Sequence, residues 1–504
     1  MNSNKKRYFF NLAGICIIVS WLVMIGILAK KNSFNNIDED TDFTYSLSNI
    51  KSAERDWMEI FLKGKKVGYS VSLVNPFGDD FFIQEEIFLK LNLMGQTSIM
   101  HTTTKSVVDK KLLLKNFRFT MDSGVVTFQV SGKVDGNKML LEIGEGSKRR
   151  HESIILTGRP VIGSGMGLFF KERRLDIGQS FKFLIFDAST LAQKEMVINV
   201  TAREPMVINS VAYSAFRLET DMWGQKMVFW LDEKGEVLKE EGFTGLTLIR
   251  SDEDRAPRDI SGSEEGDLYE LAAINVSIQL HNPEKLAYLK LETEGLETAD
   301  FDTDILNEGR QRFKNNTLEI VKEEIPQKAP YLLPYHDLSG EMGPYIQPEY
   351  CVESDNDGII DKSRDIAGDV KNPVIAARKL MAWVFKKVKK RPVISVPSAI
   401  EVLKTRVGDC NEHSVLLTAL LRAVGIPGRL CVGLVYSRGK FFYHAWTECY
   451  LGEWVSMDAT LNQMPVDATH IKLVQGGLER QVQLIGLIGN LKMKVIAYGY
   501  DKIN

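Results

Sequence analysis

The chain has 504 residues, 44% hydrophobic and 26% charged, which excludes a disordered chain, a collagen-like repeat and a multi-span membrane protein. Lys and Arg total 63 against 66 Asp and Glu, a formal net charge of −3, so no basic excess exists to hold a phosphate backbone and no nucleic-acid partner is expected. Five cysteines with no C-x-x-C pair are too few for a disulfide scaffold.

The first element is the apolar run Tyr8 to Ala29, 22 residues interrupted only by Asn11, Gly14, Ser20 and Gly26. At about 1.5 Å per residue a helix of that length covers the roughly 30 Å core of a bilayer. Lys5, Lys6 and Arg7 precede it and favour a cytoplasmic N-terminus with an exported remainder. A cleaved signal peptide is the rival reading, but its apolar core is usually about 7–15 residues and ends at small residues. This run ends in Leu28-Ala29-Lys30-Lys31. The expectation is a transmembrane signal-anchor over 1–31, single-pass in the inner (cytoplasmic) membrane, with the lipid bilayer as partner and every later domain extracytoplasmic, in a bacterial-type periplasmic setting.

Residues 32–52 are polar and acidic and read as a spacer. The stretch 53–250 reads as a β-rich domain of short runs broken by turns. Met58–Leu62 and Val67–Val74 flank Gly64-Lys65-Lys66; Val125–Val134 and Lys138–Ile143 flank Asp135-Gly136-Asn137; Lys226–Leu231 and Val237–Glu240 flank Asp232 to Gly235. Hairpins in series imply an antiparallel sheet, half-barrel or sandwich. Residues 251–267 (SDEDRAPRDISGSEEGD) are charged and almost free of large apolar residues, which marks a linker. Residues 268–330 resume as a small β module, with runs at Ala272–Leu280 and Leu286–Leu291.

The remainder, 331–504, is expected to be the catalytic domain. Asn372-Pro373 begins a helix through about Lys390, with Val374, Ala377, Met381, Val384 and Val388 on one face. Asp355-Asn356-Asp357-Gly358 resembles the start of a calcium loop, but Gly358 at position six puts Arg364 where the bidentate carboxylate belongs, so the segment reads as a turn. The seven histidines show no H-E-x-x-H spacing, and neither a metal nor a cofactor is expected.

Chemistry concentrates after Val407. In Gly408-Asp409-Cys410-Asn411-Glu412-His413-Ser414, Asp409 is a plausible N-cap, and Cys410 falls in the first turn of a helix whose buried stripe is Val415, Leu416, Ala419, Leu420 and Ala423. The helix dipole there favours a thiolate, the attacking form of a nucleophilic cysteine. Glu412 and His413 read as groups on the helix surface or behind the site. Phe441 to Glu448 is a strand with His444, Trp446 and Glu448 on one face. After the turn at Gly452-Glu453, Trp454 to Asp458 returns beside it, so Asp458 falls near His444 and can fix its tautomer. Cys431 and Cys449 flank the turn Ser437 to Lys440; a register symmetric about it sets Cys431 opposite Trp446, and no disulfide between the two is expected.

The segments GDCNEHS, YHAWTE and WVSMDAT, in that order, resemble the transglutaminase-like superfamily, whose core fold is shared with papain-type cysteine proteases. Asp467 to Leu473 is similar to the segment that follows the triad in bacterial membrane-anchored members. The resemblance implies that Cys410 is the nucleophile, His444 the base and Asp458 the orienting carboxylate. It also implies acyl transfer through a thioester: peptide or amide hydrolysis, or transamidation of glutamine by lysine, on a protein or peptide substrate of the cell envelope. Many relatives have Asp-Pro-Thr where this chain has Asp458-Ala459-Thr460, which removes no reactive group. The expected fold class is α+β: an N-terminal transmembrane helix, an antiparallel β-rich region and a C-terminal papain-like transglutaminase core. A non-catalytic envelope binding or assembly module that keeps the fold is the competing reading.

Overall fold

The computed structural model describes residues 52–500, apart from 125, 145–148, 172, 223, 243–244, 263–266, 297–301, 338 and 394. The run from Tyr8 to Ala29, and the anchor read from it, lie outside these residues. The described chain divides between Leu268 and Tyr269 into two compact units.

The first unit is built on one sheet of fifteen strands. From Glu54–Leu62 the chain runs as an antiparallel meander through Lys65–Phe77, Asp80–Leu93 and Gln96–Val108 as far as Arg150–Ile155. The free edge of Glu54–Leu62 then takes Leu246–Ser251, and the strands from there back to Val161–Ile162 extend the sheet on that side. Long strands form because the alternation is sustained. Asp80–Leu93 alternates half-buried and buried residues over all 14 positions, with Ile83, Ile87, Leu89 and Leu91 facing inward. The tight connections follow from local chemistry as well. Lys63 and Gly64 both take positive φ, 49° and 79°, the two-residue hairpin turn that matches the twist of its strands. A short buried segment, Gly163–Phe170, fills the sheet's inner face, where Phe169 and Phe170 meet Phe181 edge-on with centroids 5.3 and 5.6 Å away.

These observations correct the expected fold class. The described residues are dominated by strands, and every described helix of seven or more residues lies between Asp357 and Ala423. No described helix is long and apolar enough to cross a membrane. The α+β expectation took the early strands as short runs beside turns, whereas period-two burial carries Ala192–Ile208 to 17 residues and joins all fifteen strands into one layer.

Among its described residues the second unit combines a five-stranded and a four-stranded sheet, and a two-stranded pair, with four helices of seven or more residues. The sheet that carries the chemistry is ordered Ile274–Asn275, Lys440–Tyr450, Gly428–Ser437, Ile471–Gln475, with Trp454–Met457 also paired to Lys440–Tyr450. The predicted strand Ala272–Leu280 keeps only Ile274–Asn275; further on, the Leu280 backbone N–H donates to the Tyr436 hydroxyl (2.8 Å) instead of a neighbouring strand. The other sheet sets Leu286–Glu294 between Thr317–Val321 and Lys492–Tyr500, so its fourth strand comes from the end of the chain.

The four longer helices are Asp357–Ala367, Pro373–Lys387, Ala399–Thr405 and Cys410–Ala423. Asn372 caps the second of these through the Val374 N–H, with Pro373 at its first position. Asn356 caps the first through Gly358 (3.0 Å), so the segment read as a turn starts a helix. Cys410–Ala423 is buried from Cys410 to Arg422, on all sides rather than along one stripe.

Candidate active site

Cys410 is the first residue of its helix, and the chain fixes it there by reciprocal capping. The Asp409 side chain accepts from Asn411 N (3.1 Å), while Glu412 Oε2 accepts from Asp409 N (2.9 Å). Glu412 Oε1 takes the Ser395 hydroxyl (2.6 Å), and Glu412 is buried. It therefore holds the turn that presents the cysteine and does not lie on the helix surface. His413 is buried too, its Nδ1 2.6 Å from the Asp409 carbonyl, and burial pushes it down to about 4, so the ring is neutral.

The helix is tied to the strand that carries His444. Thr447 Oγ1 donates to the Ser414 carbonyl (3.2 Å) and lies 3.1 Å from Thr418 Oγ1, and the Ser414 hydroxyl returns to the Cys410 carbonyl (2.6 Å). The Ala445 backbone N–H, next in sequence to His444, bonds the Cys410 thiol. On the other side of the strand, Thr447 pairs with Met457 in register, and Asp458 follows at once. His444 Nε2 is 2.8 Å from Asp458 Oδ2. Cys410, His444 and Asp458, the three residues expected from the sequence, are thus brought together, and all are shut off from solvent.

The ring orientation is informative. With Nε2 engaged by Asp458, the other nitrogen, Nδ1, is buried without a protein partner. Asn411 Nδ2, His413 Nε2 and Trp446 Nε1 are likewise buried without partners, and all belong to the first turn of the helix or to the His444 strand. Unsatisfied polar atoms are rare in protein interiors, and a group of them gathered at one place sets it apart from the rest of the core.

The electrostatics depart from expectation at one point. Burial pushes the Cys410 thiol well up, and the Asp409 carboxylate adds to it, against the Ala445 N–H, which favours the thiolate. The helix dipole does not make a resting thiolate here, because desolvation and the neighbouring carboxylates outweigh it. The resting form is the neutral thiol.

Asp458 has a second partner that the sequence reading missed. His470 Nε2 lies 3.2 Å from Asp458 Oδ2, and His470 Nδ1 lies 3.4 Å from Asp467 Oδ1. Backbone N–H groups of Thr460 and Leu461 fill Asp458 Oδ1, at 2.6 and 3.0 Å. Burial alone would raise the Asp458 carboxyl, but His444 and His470 overcome it and hold the group ionised far below the usual range. For His470 burial opposes the charge, yet Asp467 and Asp458 lift the ring to about 9, so it is an imidazolium. The atoms of His444, Asp458 and His470 lie within 4.8 Å of one another and offer ligands of the type metals take. The distances are those of hydrogen bonds, and a doubly donating His470 ring has no lone pair for a metal, so the geometry fits protons and not an ion.

Beside this site lies a buried ion network. Lys472 donates to both oxygens of Glu448 (3.0 Å each) and to Glu308 (2.8 Å), and Arg429 binds the same two carboxylates. Close approach of the strands is secured by Gly433, opposite His444 in register, where a Cβ would come within 1.8 Å of the Ile471 carbonyl oxygen. Cys431 stands opposite Trp446, the register predicted, and Cys431 and Cys449 form no disulfide with each other.

Residues 360–459 match the family model of the Transglutaminase-like superfamily, and the resemblance read from GDCNEHS, YHAWTE and WVSMDAT is borne out. Cys410, His444 and Asp458 fall inside the matched span and His470 outside it. No curated protein matches the chain. Among solved structures, a candidate cysteine protease from Cytophaga hutchinsonii is 17% identical with a TM-score of 0.27, over 45% of this chain and 83% of that one. A β-barrel-like protein of the DUF1849 domain from Brucella abortus is 14% identical with a TM-score of 0.29, over 40% of this chain and 98% of that one. A candidate protease from Parabacteroides distasonis is 10% identical with a TM-score of 0.19, over 68% and 69%. At such scores none of the three assigns this chain an activity.

Proposed function

We propose that the C-terminal unit is a transglutaminase-like cysteine enzyme that acts on amide bonds of a peptide or protein through a thioester. The observation that carries this reading is the His444 ring, bound to Asp458 through Nε2 and left with an unpartnered, buried Nδ1, on the strand whose next residue, Ala445, bonds the Cys410 thiol through its N–H.

From a neutral thiol the reaction begins with proton transfer. His444 Nδ1 takes the Cys410 proton as the sulfur attacks the carbonyl carbon, and Asp458 stabilises the imidazolium that forms. Backbone N–H groups at the start of the helix, that of Cys410 among them, are assigned to the oxyanion. The C–N bond then breaks, the amine leaves with the proton held by His444, and the acyl group remains on sulfur. Water completes a hydrolysis, and a primary amine completes a transamidation. Because the three side chains are covered, substrate entry requires the cover to move. That same burial is what favours the second reading, a non-catalytic module that retains the fold.

Incubation of the full-length protein with glutamine-containing peptides, with and without a primary amine, separates these readings. The expected result is peptide cleavage or ammonia release that Cys410→Ala lowers by about 10⁴-fold or more while the melting transition stays in place. Amine incorporation identifies transamidation. Turnover unaffected by Cys410→Ala, or no turnover and no acyl adduct on any peptide, would remove the enzyme reading and leave the binding module.

A further inference from the structure

The ring that completes the coordination of Asp458 comes from outside the matched core, and its surroundings are built to keep it charged. Asp467, its other partner, is itself held from three sides. Its carboxylate accepts from Thr469 N (2.8 Å), Thr469 Oγ1 (2.6 Å) and Gln463 Nε2 (2.9 Å). The backbone carbonyls of Val466 and Asp467 are taken by the buried Arg310, which is paired with Glu323. The loop Asp458 to Gln463 closes on itself, Asp458 N donating to Gln463 O (2.9 Å) and Gln463 N to Asp458 O (3.1 Å). Neither carboxylate can therefore turn away from the ring. His470 is fully buried, and Trp446 packs edge-on against it with centroids 5.3 Å apart.

We propose that His470 is a positioning residue of this site, a ring that stays doubly protonated between Asp467 and Asp458 and so limits how firmly Asp458 holds a proton on His444. The proposal rests on the reading of His444 as the base.

Asp458 and Asp467 together are −2, and His470 brings the cluster to −1. His444, Cys410 and His413 also act on Asp458, the last two neutral; Asp409 and Glu412 act on Cys410 and His413, and Arg310, paired with Glu323, lies behind Asp467. If His470 were neutral, the His444 imidazolium would face the full −2. Its centroid is 5.7 Å from that of His470, and at an effective dielectric constant of about 20 one charge at that distance corresponds to roughly two pH units. A base that must be neutral to accept the thiol proton would then be occupied by a proton over more of the pH range. A shared oxygen has a second effect: Oδ2 accepts from both rings, so His470 fixes the direction in which Asp458 receives His444.

The test uses the full-length chain with ¹⁵N-labelled histidine. One ring should remain doubly protonated to about pH 8, and its signals should vanish in His470→Gln. In the same variant the acid limb of the pH–rate profile should move up by about one to two pH units, beyond any uniform loss of rate. Asp467→Asn, which leaves both rings in place, should bring the His470 midpoint down by about one unit or more, and it serves if His470→Gln does not fold. A His470 ring that titrates between pH 6 and 7 in the unaltered protein overturns the proposal, as does an acid limb unmoved in His470→Gln. The failure of the function reading has a separate signature: His444→Ala would keep full turnover, whatever the His470 signals show.

Discussion

The two units of this protein both bury strands, but they bury them differently. In the fifteen-stranded sheet the strands alternate, and exposed charges pair on the open face, as Lys115 does with Asp80, while a few carboxylates such as Glu59, Glu85, Asp187 and Glu240 are buried at separate points along it. In the C-terminal unit Gly428–Ser437 is buried at every position, as is Lys440–Tyr450 apart from its two ends, and charges go inside with them. Arg429, His444, Glu448 and Lys472 are all buried. A covered strand can carry a charge only where each charge is met by a partner, since an isolated buried ion costs several kcal/mol. The first unit is thus held chiefly by apolar area, with buried charges scattered along it rather than gathered in one cluster. The second also depends on buried clusters of paired charges, and the candidate chemistry sits beside one of them.

The sharpest way to break this contrast is Lys472→Met. It leaves Glu448 to Arg429 alone, and breaking a buried pair costs about 3–5 kcal/mol. Chemical denaturation should show the transition of the C-terminal unit falling by that amount while the sheet unit's transition holds; equal loss in both would end the distinction. Acid gives a slightly smaller effect. Burial would raise the Glu448 carboxyl, but Lys472 and Arg429 overcome it and hold it at about 2, below the ordinary 4.5. The pair's contribution is therefore complete above about pH 4.5 and is lost as pH falls towards 2, roughly 3 kcal/mol in all. Stability curves should show that loss, and Glu448→Gln should flatten it. The smallest effect belongs to the sheet: Lys115→Ala should cost less than about 1 kcal/mol and vanish in high salt. A larger cost there would show that the first unit also leans on its ions.

What could be read from residues alone follows the same line. Hairpins at 54–77, 127–143 and 225–241 were legible because turn residues and period-two patterns are local signals. The pairing of Trp57 with Ser251 was not, since nothing near either residue announces a partner almost two hundred positions away. At the site, Asp409 and Glu412 are three apart and spell a capping box, and His444 and Asp458 face each other across a short hairpin, so Cys410, His444 and Asp458 could be placed together. The helix's burial on all sides was hidden, because the polar residues Asn411, Glu412, His413 and Ser414 look like a wet face until their partners are known. His470 was missed because it enters from the approach to Ile471–Gln475, a strand that pairs beyond the hairpin. The nearest signal was Asp467-x-x-His470, a carboxylate and an imidazole three residues apart. The neutral resting thiol was hidden for the same reason: the dipole can be read from a helix start, but the desolvation that defeats it depends on everything packed around it.

Gly433 has no functional group, yet it bears on how this site could drift. A methyl group there, the mildest change available, would drive against the carbonyl of Ile471 and push the neighbouring His470 ring from its carboxylates without altering any reactive atom. Reactive residues are therefore an undercount of the positions on which a lineage has no freedom: at this strand the absence of a side chain is itself something that inheritance must preserve.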